Sequence, residues 1–413
     1  MFFNTIPEAL YIHIPFCKKK CNYCDFFSIT GFEDSFVSAI LQETINQINY
    51  FNKLLNISAL KTIYIGGGTP SVIGEEKLEK FIKTIVSICC NTGFSEACGA
   101  ATRMFSEVSR TCSGTRRAPN NLPDLLKEFS IEINPETVTP SLLEMLNKLP
   151  VTRISLGVQS FNKKMLDALG RNSSVESVYN ALEMLKKYSN KKISIDLISS
   201  IPGQTIQEAL ADITTALSFK PGHISLYCLA IEEGTKLYQK FSEKDQDDRC
   251  WIEACELLER SGYVHYEISN FCLPGQESVH NMNYWKLEPY IGCGLSAVST
   301  FYKDGLFYRF SVTDNPALFL QGEKSLWGME QETISKHDFL IELLMMGLRT
   351  KDGVNLQEID NFFNIDIKKV LEPVILKWKK KGFITLKNNT LALNKKGRYF
   401  HTPFMIDIMK CTL

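Results

Sequence analysis

Three cysteines, Cys17, Cys21 and Cys24, stand at C-x3-C-x2-C within the stretch Tyr11–Phe27, YIHIPFCKKKCNYCDFF. Three soft thiolates on one loop suit three corners of a cubane iron–sulfur cluster and leave a fourth iron open to a substrate. Zinc is the competing reading. A structural zinc site is closed and takes four ligands, and no fourth Cys or His follows at the usual short spacing. The apolar residues Ala9, Leu10, Tyr11, Ile12 and Ile14 before the cysteines read as a short buried strand. Pro15 ends it, because proline has no N–H to give to a ladder. The cysteines are therefore expected just past the C-terminal end of a strand, where α/β folds gather their ligands.

A second stretch, LKTIYIGGGTPSVI, runs from a strand (Thr62–Ile65) into Gly66, Gly67, Gly68, Thr69 and Pro70. Glycine there serves either a tight strand-to-helix turn or a close approach of backbone to ligand, and the run alone leaves both readings open. Glu132, Gln159, Arg171 and Asp196 fall near later strand ends; taken singly, such residues are more often solvated or paired surface groups. SVHNMNYW brings together His280, Asn281, Asn283, Tyr284 and Trp285. Read by itself, His280 is a satisfied structural histidine in an Asn-rich turn, and the aromatics are as often core.

The cysteine motif, with Tyr23 before its last cysteine, and the lead-in YIHIPFC resemble the radical S-adenosylmethionine (SAM) superfamily. The similarity is to the branch that holds oxygen-independent coproporphyrinogen III oxidase and the HemW-type heme chaperones. It implies a 4Fe–4S cluster on Cys17, Cys21 and Cys24, whose open iron takes the amino and carboxylate groups of SAM. An electron from the reduced cluster can then cleave the sulfonium to a 5′-deoxyadenosyl radical. By the same resemblance the glycine run binds SAM's methionyl amine. Tyr11, Gly67, Glu132 and Ala230 would line that SAM, with Tyr23 among the cofactor contacts. The positions matching Gly68, Thr69, Gln159, Arg171 and Asp196 approach a second SAM in the oxidase. HNxxYW looks like the segment that marks the chaperones and is associated with heme. His280 is then the expected axial ligand to heme iron and Cys293 the alternative, with Tyr284 and Trp285 placed to stack on the macrocycle.

Three features separate the two members of that branch. The oxidase carries a further cysteine two residues past the last cluster cysteine, where this chain has Phe26; it has a long segment before the position of Tyr11, where this chain has ten residues; and HNMNYW belongs to the chaperones. The expected function is a heme chaperone that hands heme to membrane respiratory proteins as transient partners. The alternative is oxidative decarboxylation of two propionates of coproporphyrinogen III. A radical enzyme acting on another substrate is a third option, because fold does not fix function.

The elements that position these residues follow from periodicity. Helical patterns (Glu33–Leu55, Glu75–Ile88, Ser141–Leu149, Lys163–Leu169, Val175–Lys187, Ile206–Leu217) alternate with apolar runs around Glu132, Gln159 and Asp196 and a last one ending near Ala230. With the first two strands this makes six βα repeats, hence α/β with a parallel sheet; the resemblance implies a partial (β/α)6, TIM-like barrel over residues 1–230. Residues 89–123 hold four cysteines (Cys89, Cys90, Cys98, Cys112) and no clear period, and read as an inserted, largely disordered loop. Asp247–Arg260 reads as a helix and Tyr263–Phe271 as an edge strand, in a barrel-associated segment 231–300. From 301 a smaller α+β, winged-helix-like domain is expected, with a helix over Glu332–Arg349 and a hairpin around Asn388–Asn389.

Composition bounds the partners. Lys plus Arg and Asp plus Glu number 46 each, so no net field draws the chain to nucleic acid, and the C-terminal lysines are scattered. No run approaches the roughly 18 apolar residues of a membrane span. Thirteen cysteines without a signal-peptide pattern point to the cytoplasm rather than to a secreted disulfide framework. Peripheral membrane association and a homodimer remain open.

Overall fold

The computed structural model describes residues 6–55, 57, 60–90, 126–303 and 305–411. The expected insertion lies outside them from residue 91 onward, Cys98 and Cys112 included. Six strands, β1 (Ala9–Ile14), β2 (Thr62–Gly67), β3 (Glu128–Ile133), β4 (Arg153–Gln159), β5 (Lys192–Ser199) and β6 (His223–Cys228), pair in chain order and in parallel. Their apolar residues are buried on both faces, which is why they read as near-continuous hydrophobic runs rather than alternating ones. Helices α1 (Asp34–Leu55), α2 (Glu75–Cys90), α3 (Pro140–Lys148), α4 (Lys163–Leu169), α5 (Val175–Tyr188) and α6 (Ile206–Ser218) fill the crossovers. The architecture is the expected partial (β/α)6 barrel.

Each helix faces the sheet with a 3.6-period stripe; in α1 it is Val37, Ile40, Leu41, Thr44, Ile48, Phe51 and Leu55. Side-chain caps fix where the later helices begin. Thr139, Asn162 and Ser174 cap α3, α4 and α5, and Thr205 forms a capping box with Glu208 at α6.

The sheet runs past the six repeats. The stretch Tyr263–Phe271 is not one edge strand: it folds back on itself as β7 (Val264–Glu267) and β8 (Asn270–Cys272), antiparallel, with β8 on β6. Then, after α7 (Arg249–Arg260) and α8 (Val279–Trp285), β9 (Tyr290–Cys293) pairs in parallel with β1. β10 (Val298–Lys303), β11 (Leu306–Ser311) and β12 (Glu330–Ile334) extend that edge antiparallel. A boundary at 301 thus falls inside β10. The residues Glu332–Ile334, expected in a helix, are strand; helix α9 (Lys336–Arg349) begins only after its cap, Ser335.

Beyond it lies a three-stranded sheet of β13 (Val354–Asn355), β14 (Ile384–Lys387) and β15 (Thr390–Leu393) with helices α10 (Leu356–Phe363), α11 (Ile367–Lys380) and α12 (His401–Met409). Asn388 and Asn389 take φ of 51° and 61°, the pair of left-handed residues that a two-residue hairpin turn requires. Leu344, Leu348, Ile359, Leu371, Trp378, Leu391 and Phe404 form this unit's own core. Tyr302 and Phe307 join it from β10 and β11, so the unit packs on the extended sheet edge.

Candidate cofactor site

The cysteine loop is clamped at both ends by backbone. Ile29 N–H donates to Pro15 O at 2.6 Å and Cys17 N–H to Ile29 O at 3.0 Å, while His13 Nε2 meets Phe27 O at 3.0 Å. With the Tyr11 hydroxyl at Nδ1 (3.0 Å), His13 has both ring nitrogens engaged, and burial lowers its pKa, so it stays neutral. The middle of the loop is held by Asn22. Its N–H donates to Leu169 O (2.9 Å), its amide group to Ala168 O (3.0 Å), and its carbonyl accepts from Leu237 N–H (2.8 Å). A Cβ on Gly170 would stand 2.5 Å from the Asn22 side chain, so glycine there lets the loop dock.

The glycine run is pressed against the end of β1. Gly68 N–H donates to Ile14 O at 2.8 Å and Thr69 N–H to Phe16 O at 2.8 Å; a Cβ on Gly68 would lie 2.6 Å from Phe16 O. Gly67 has φ +107° and a Cβ there would strike the His13 ring at 2.5 Å. Glu132, on β3, accepts from Gly67 N–H (3.1 Å) and the Tyr64 hydroxyl (2.7 Å). Burial raises Glu132 to about 7.

Arg171 ties the cysteine loop to the strand ends. Its Nη1 lies 3.5 Å from Cys21 Sγ, and its Nη2 donates to Asn134 Oδ1 (2.8 Å) and Gly157 O (2.9 Å). Asn134 in turn donates to Thr69 Oγ1 (2.7 Å), which sits 3.8 Å from Cys17 Sγ. Gln159 takes φ +69° where the β4–β5 register shifts, a strained conformation that aims its side chain at the sheet's end. Asp196 accepts from Ser155 Oγ at 2.8 Å, and burial raises its pKa.

Cys17, Cys21 and Cys24 line one cavity of about 550 Å³ together with Tyr23, Gly67, Gly68, Thr69, Glu132, Gln159, Arg171, Asp196 and Ala230. Tyr11 lies beside it, bonded to His13, and does not line it. Asn134, Ser155, Tyr227, Cys228 and Lys18–Lys20 also line it, and sequence reasoning passed over all of them as functional residues. Asn134 had one usable signal: a polar residue directly after a strand, just before Pro135.

The donor chemistry fits an iron–sulfur cluster. Three soft sulfurs share one wall of the cavity, and burial pushes the Cys17 thiol up to about 11. Arg171 Nε is buried with no hydrogen-bond partner among the described residues, beside Cys21. The glycines stand where a Cβ would strike the protein's own groups, the His13 ring at Gly67 and Phe16 O at Gly68, so they let the turn pack against the end of β1.

His280 is elsewhere. α8 is a helix, not a turn, capped by Ser278 and seated at the opposite, N-terminal ends of β2 and β3. Glu128 accepts from the Val279 (3.0 Å) and His280 (3.1 Å) amides. The His280 imidazole is fully buried, with Nδ1 at Thr62 Oγ1 (2.9 Å) and Nε2 at the Tyr284 hydroxyl (2.8 Å), and burial lowers it to about 3. To ligate iron it would have to release one of these partners. Trp285 stacks under Arg349 at 4.3 Å, and Cys293 is buried in β9.

The family description Radical SAM superfamily matches residues 11–216, and HemN C-terminal domain matches 334–400. The chain is 32% identical to a protein named heme chaperone HemW from Lactococcus lactis, over 88% of this chain and 87% of that one. A second heme chaperone HemW, from Haemophilus influenzae, is 31% identical over 86% of each. Among solved structures, coproporphyrinogen III oxidase (HemN) from Escherichia coli superposes with a TM-score of 0.74 at 17% identity, covering 98% of this chain and 90% of the other; that likeness concerns the fold.

Proposed function

The chain belongs to the HemW family of the radical SAM superfamily, and on that premise we propose that it is a heme chaperone. It binds heme as cargo and passes it to membrane respiratory proteins. The observation that carries this reading is the 32% identity to a protein of that name over nearly the whole chain. Phe26 supports it: two residues past Cys24 stands a phenylalanine that is 67% exposed, where the related oxidase has a cysteine.

Cys17, Cys21 and Cys24 would hold a 4Fe–4S cluster, with SAM against Gly67, Glu132 and Ala230. When bound, the cluster supplies an open iron for SAM and one electron at a time. The chain's own residues do the positioning. Glu132 fixes the glycine turn through the Gly67 amide, and Arg171 locks Cys21 to the ends of β3 and β4. Asp196, Gln159 and Thr69 provide polar contacts across the same cavity. Among the described residues no helix is long and apolar enough to cross a membrane.

The test is anaerobic reconstitution of the cluster followed by heme titration, with coproporphyrinogen III and SAM assayed in parallel. Stoichiometric heme binding without decarboxylation supports the chaperone. Decarboxylation without heme binding assigns the oxidase activity instead.

A further inference from the structure

Asn134 is the centre of a line of hydrogen bonds that joins two of the three cysteines. Its backbone is pinned. At the N-cap of a short 3-10 turn, Pro135–Thr137, its carbonyl accepts from the Thr137 N–H (3.0 Å) and hydroxyl (2.7 Å). The side chain is left to bridge between strand ends. Its Oδ1 meets Arg171 Nη2 at 2.8 Å, and its Nδ2 meets Thr69 Oγ1 at 2.7 Å. Gly157 on β4 makes room for this, since a Cβ there would stand 2.7 Å from Asn134 Oδ1.

Donor chemistry fixes the direction of each bond. A guanidinium only donates, so the Asn134 carbonyl oxygen must face Arg171 and the amide NH2 must face Thr69. The Thr69 oxygen accepts from that NH2, which leaves its own proton for the sulfur of Cys17, 3.8 Å away. At the other end Arg171 Nη1 donates to Cys21 Sγ at 3.5 Å. The line Cys21–Arg171–Asn134–Thr69–Cys17 thus aims a donor at a sulfur at both ends. Thr69 is itself buried and tied by its N–H to Phe16 O, so it cannot turn away. An aspartate at 134 would accept from Arg171 but could not donate to Thr69; asparagine does both.

Hydrogen bonds to the sulfurs of an iron–sulfur cluster stabilise its more negative, reduced form and so raise its reduction potential. We propose that Asn134 is a positioning residue for the cluster: by holding Arg171 on Cys21 and Thr69 on Cys17, it raises the potential at which the cluster takes up its electron. This rests on the assignment of the cluster to Cys17, Cys21 and Cys24, and not on heme as cargo.

Wild type and variants are reconstituted anaerobically without SAM or heme and titrated with dithionite in the presence of redox mediators. The reduced cluster is read by electron paramagnetic resonance. Asn134→Leu is close in volume and has neither donor nor acceptor. It should load iron and sulfide as the wild type does, and at a fixed ambient potential its ratio of reduced to oxidised cluster should fall roughly tenfold, a downward shift of about 59 mV for one electron. Asn134→Asp should shift the same way, because its carboxylate draws the Thr69 proton away from Cys17. Thr69→Val should shift down by less, and Thr69→Ser, which keeps the hydroxyl, should keep the wild-type potential. An unmoved potential in loaded Asn134→Leu overturns the proposal. If Asn134→Leu does not load, the threonine variants decide, and equal potentials for Thr69→Val and Thr69→Ser overturn it. A wild type that takes up no iron and sulfide overturns the cluster assignment and the proposal with it, whereas an unmoved potential in loaded protein overturns the proposal alone.

Discussion

The carboxylate of Glu132 holds the amide of Gly67 at 3.1 Å, so a half-buried acid on one strand fixes the left-handed glycine on its neighbour. That single contact shapes the wall of the cavity facing the three cysteines, and several outcomes depend on it.

Gly67→Ala places a methyl group 2.5 Å from the His13 ring at a φ of +107°. Backbone strain alone costs about 1–3 kcal/mol. Thermal melting should drop accordingly, and SAM affinity of the reconstituted protein should fall beyond what the melting loss explains. Unchanged SAM affinity would mean that the glycine run serves only the turn.

Burial lifts Glu132 from an ordinary 4.5 to about 7. The folded chain therefore keeps a proton that the unfolded chain sheds, and this residue's contribution to stability declines as pH rises from 4.5 to 7, then levels off. In cofactor-free protein, Glu132→Gln should match wild type near pH 5 and exceed it by about 1–3 kcal/mol near pH 8. Urea unfolding at the two pH values reads the difference; a constant offset would refute the assignment.

Replacing Cys17, Cys21 or Cys24 by Ala should abolish the visible iron–sulfur absorption and the bound iron and sulfide after reconstitution. Retention of either in all three variants would sink the cluster assignment.

His280→Ala removes a buried ring and strands the hydroxyls of Thr62 and Tyr284, at a cost of about 2–4 kcal/mol. Heme binding should weaken with it. An unaltered Soret band and affinity in the folded fraction moves the axial ligand to another residue.

Arg153 and Glu128 form an ion pair at 3.2 Å with both side chains 4% exposed. Arg153→Met leaves the Glu128 carboxylate buried against α8 with its counter-charge gone, a loss of about 3–5 kcal/mol. Adding Glu128→Gln should restore part of it. Simple additivity of the two losses would show that the pair does not act as a unit.

The six repeats were legible because each strand and helix announces itself locally: apolar runs of strand length, then a 3.6-period stripe opened by a capping residue such as Ser174 or Thr205. The cysteine and glycine motifs were legible for the same reason. What escaped depends on partners distant in sequence. Nothing local in Tyr290–Cys293 says that it pairs with Ala9–Ile12, and the link from Asn134 to Thr69 and Arg171 exists only after three strand ends meet. α8 read as a turn because its asparagines suit turns; the Glu128 carboxylate, which receives its first amides, lies some 150 residues away in the chain.

α8 touches both halves of the molecule. It is bonded to Glu128 and Thr62 at the start of β3 and β2, and Trp285 is gripped by Arg349 of α9, while the Tyr302 hydroxyl holds Leu287 O just beyond the helix. The other end of β2 is Gly67, five residues and roughly 17 Å away along a stiff strand. The helix is thus a strut between the C-terminal unit and the floor of the barrel. It joins α9 to the starts of the same two strands that carry the glycine run and Glu132 at their far ends, so one short helix spans the distance between the C-terminal unit and the strands of the cofactor cavity.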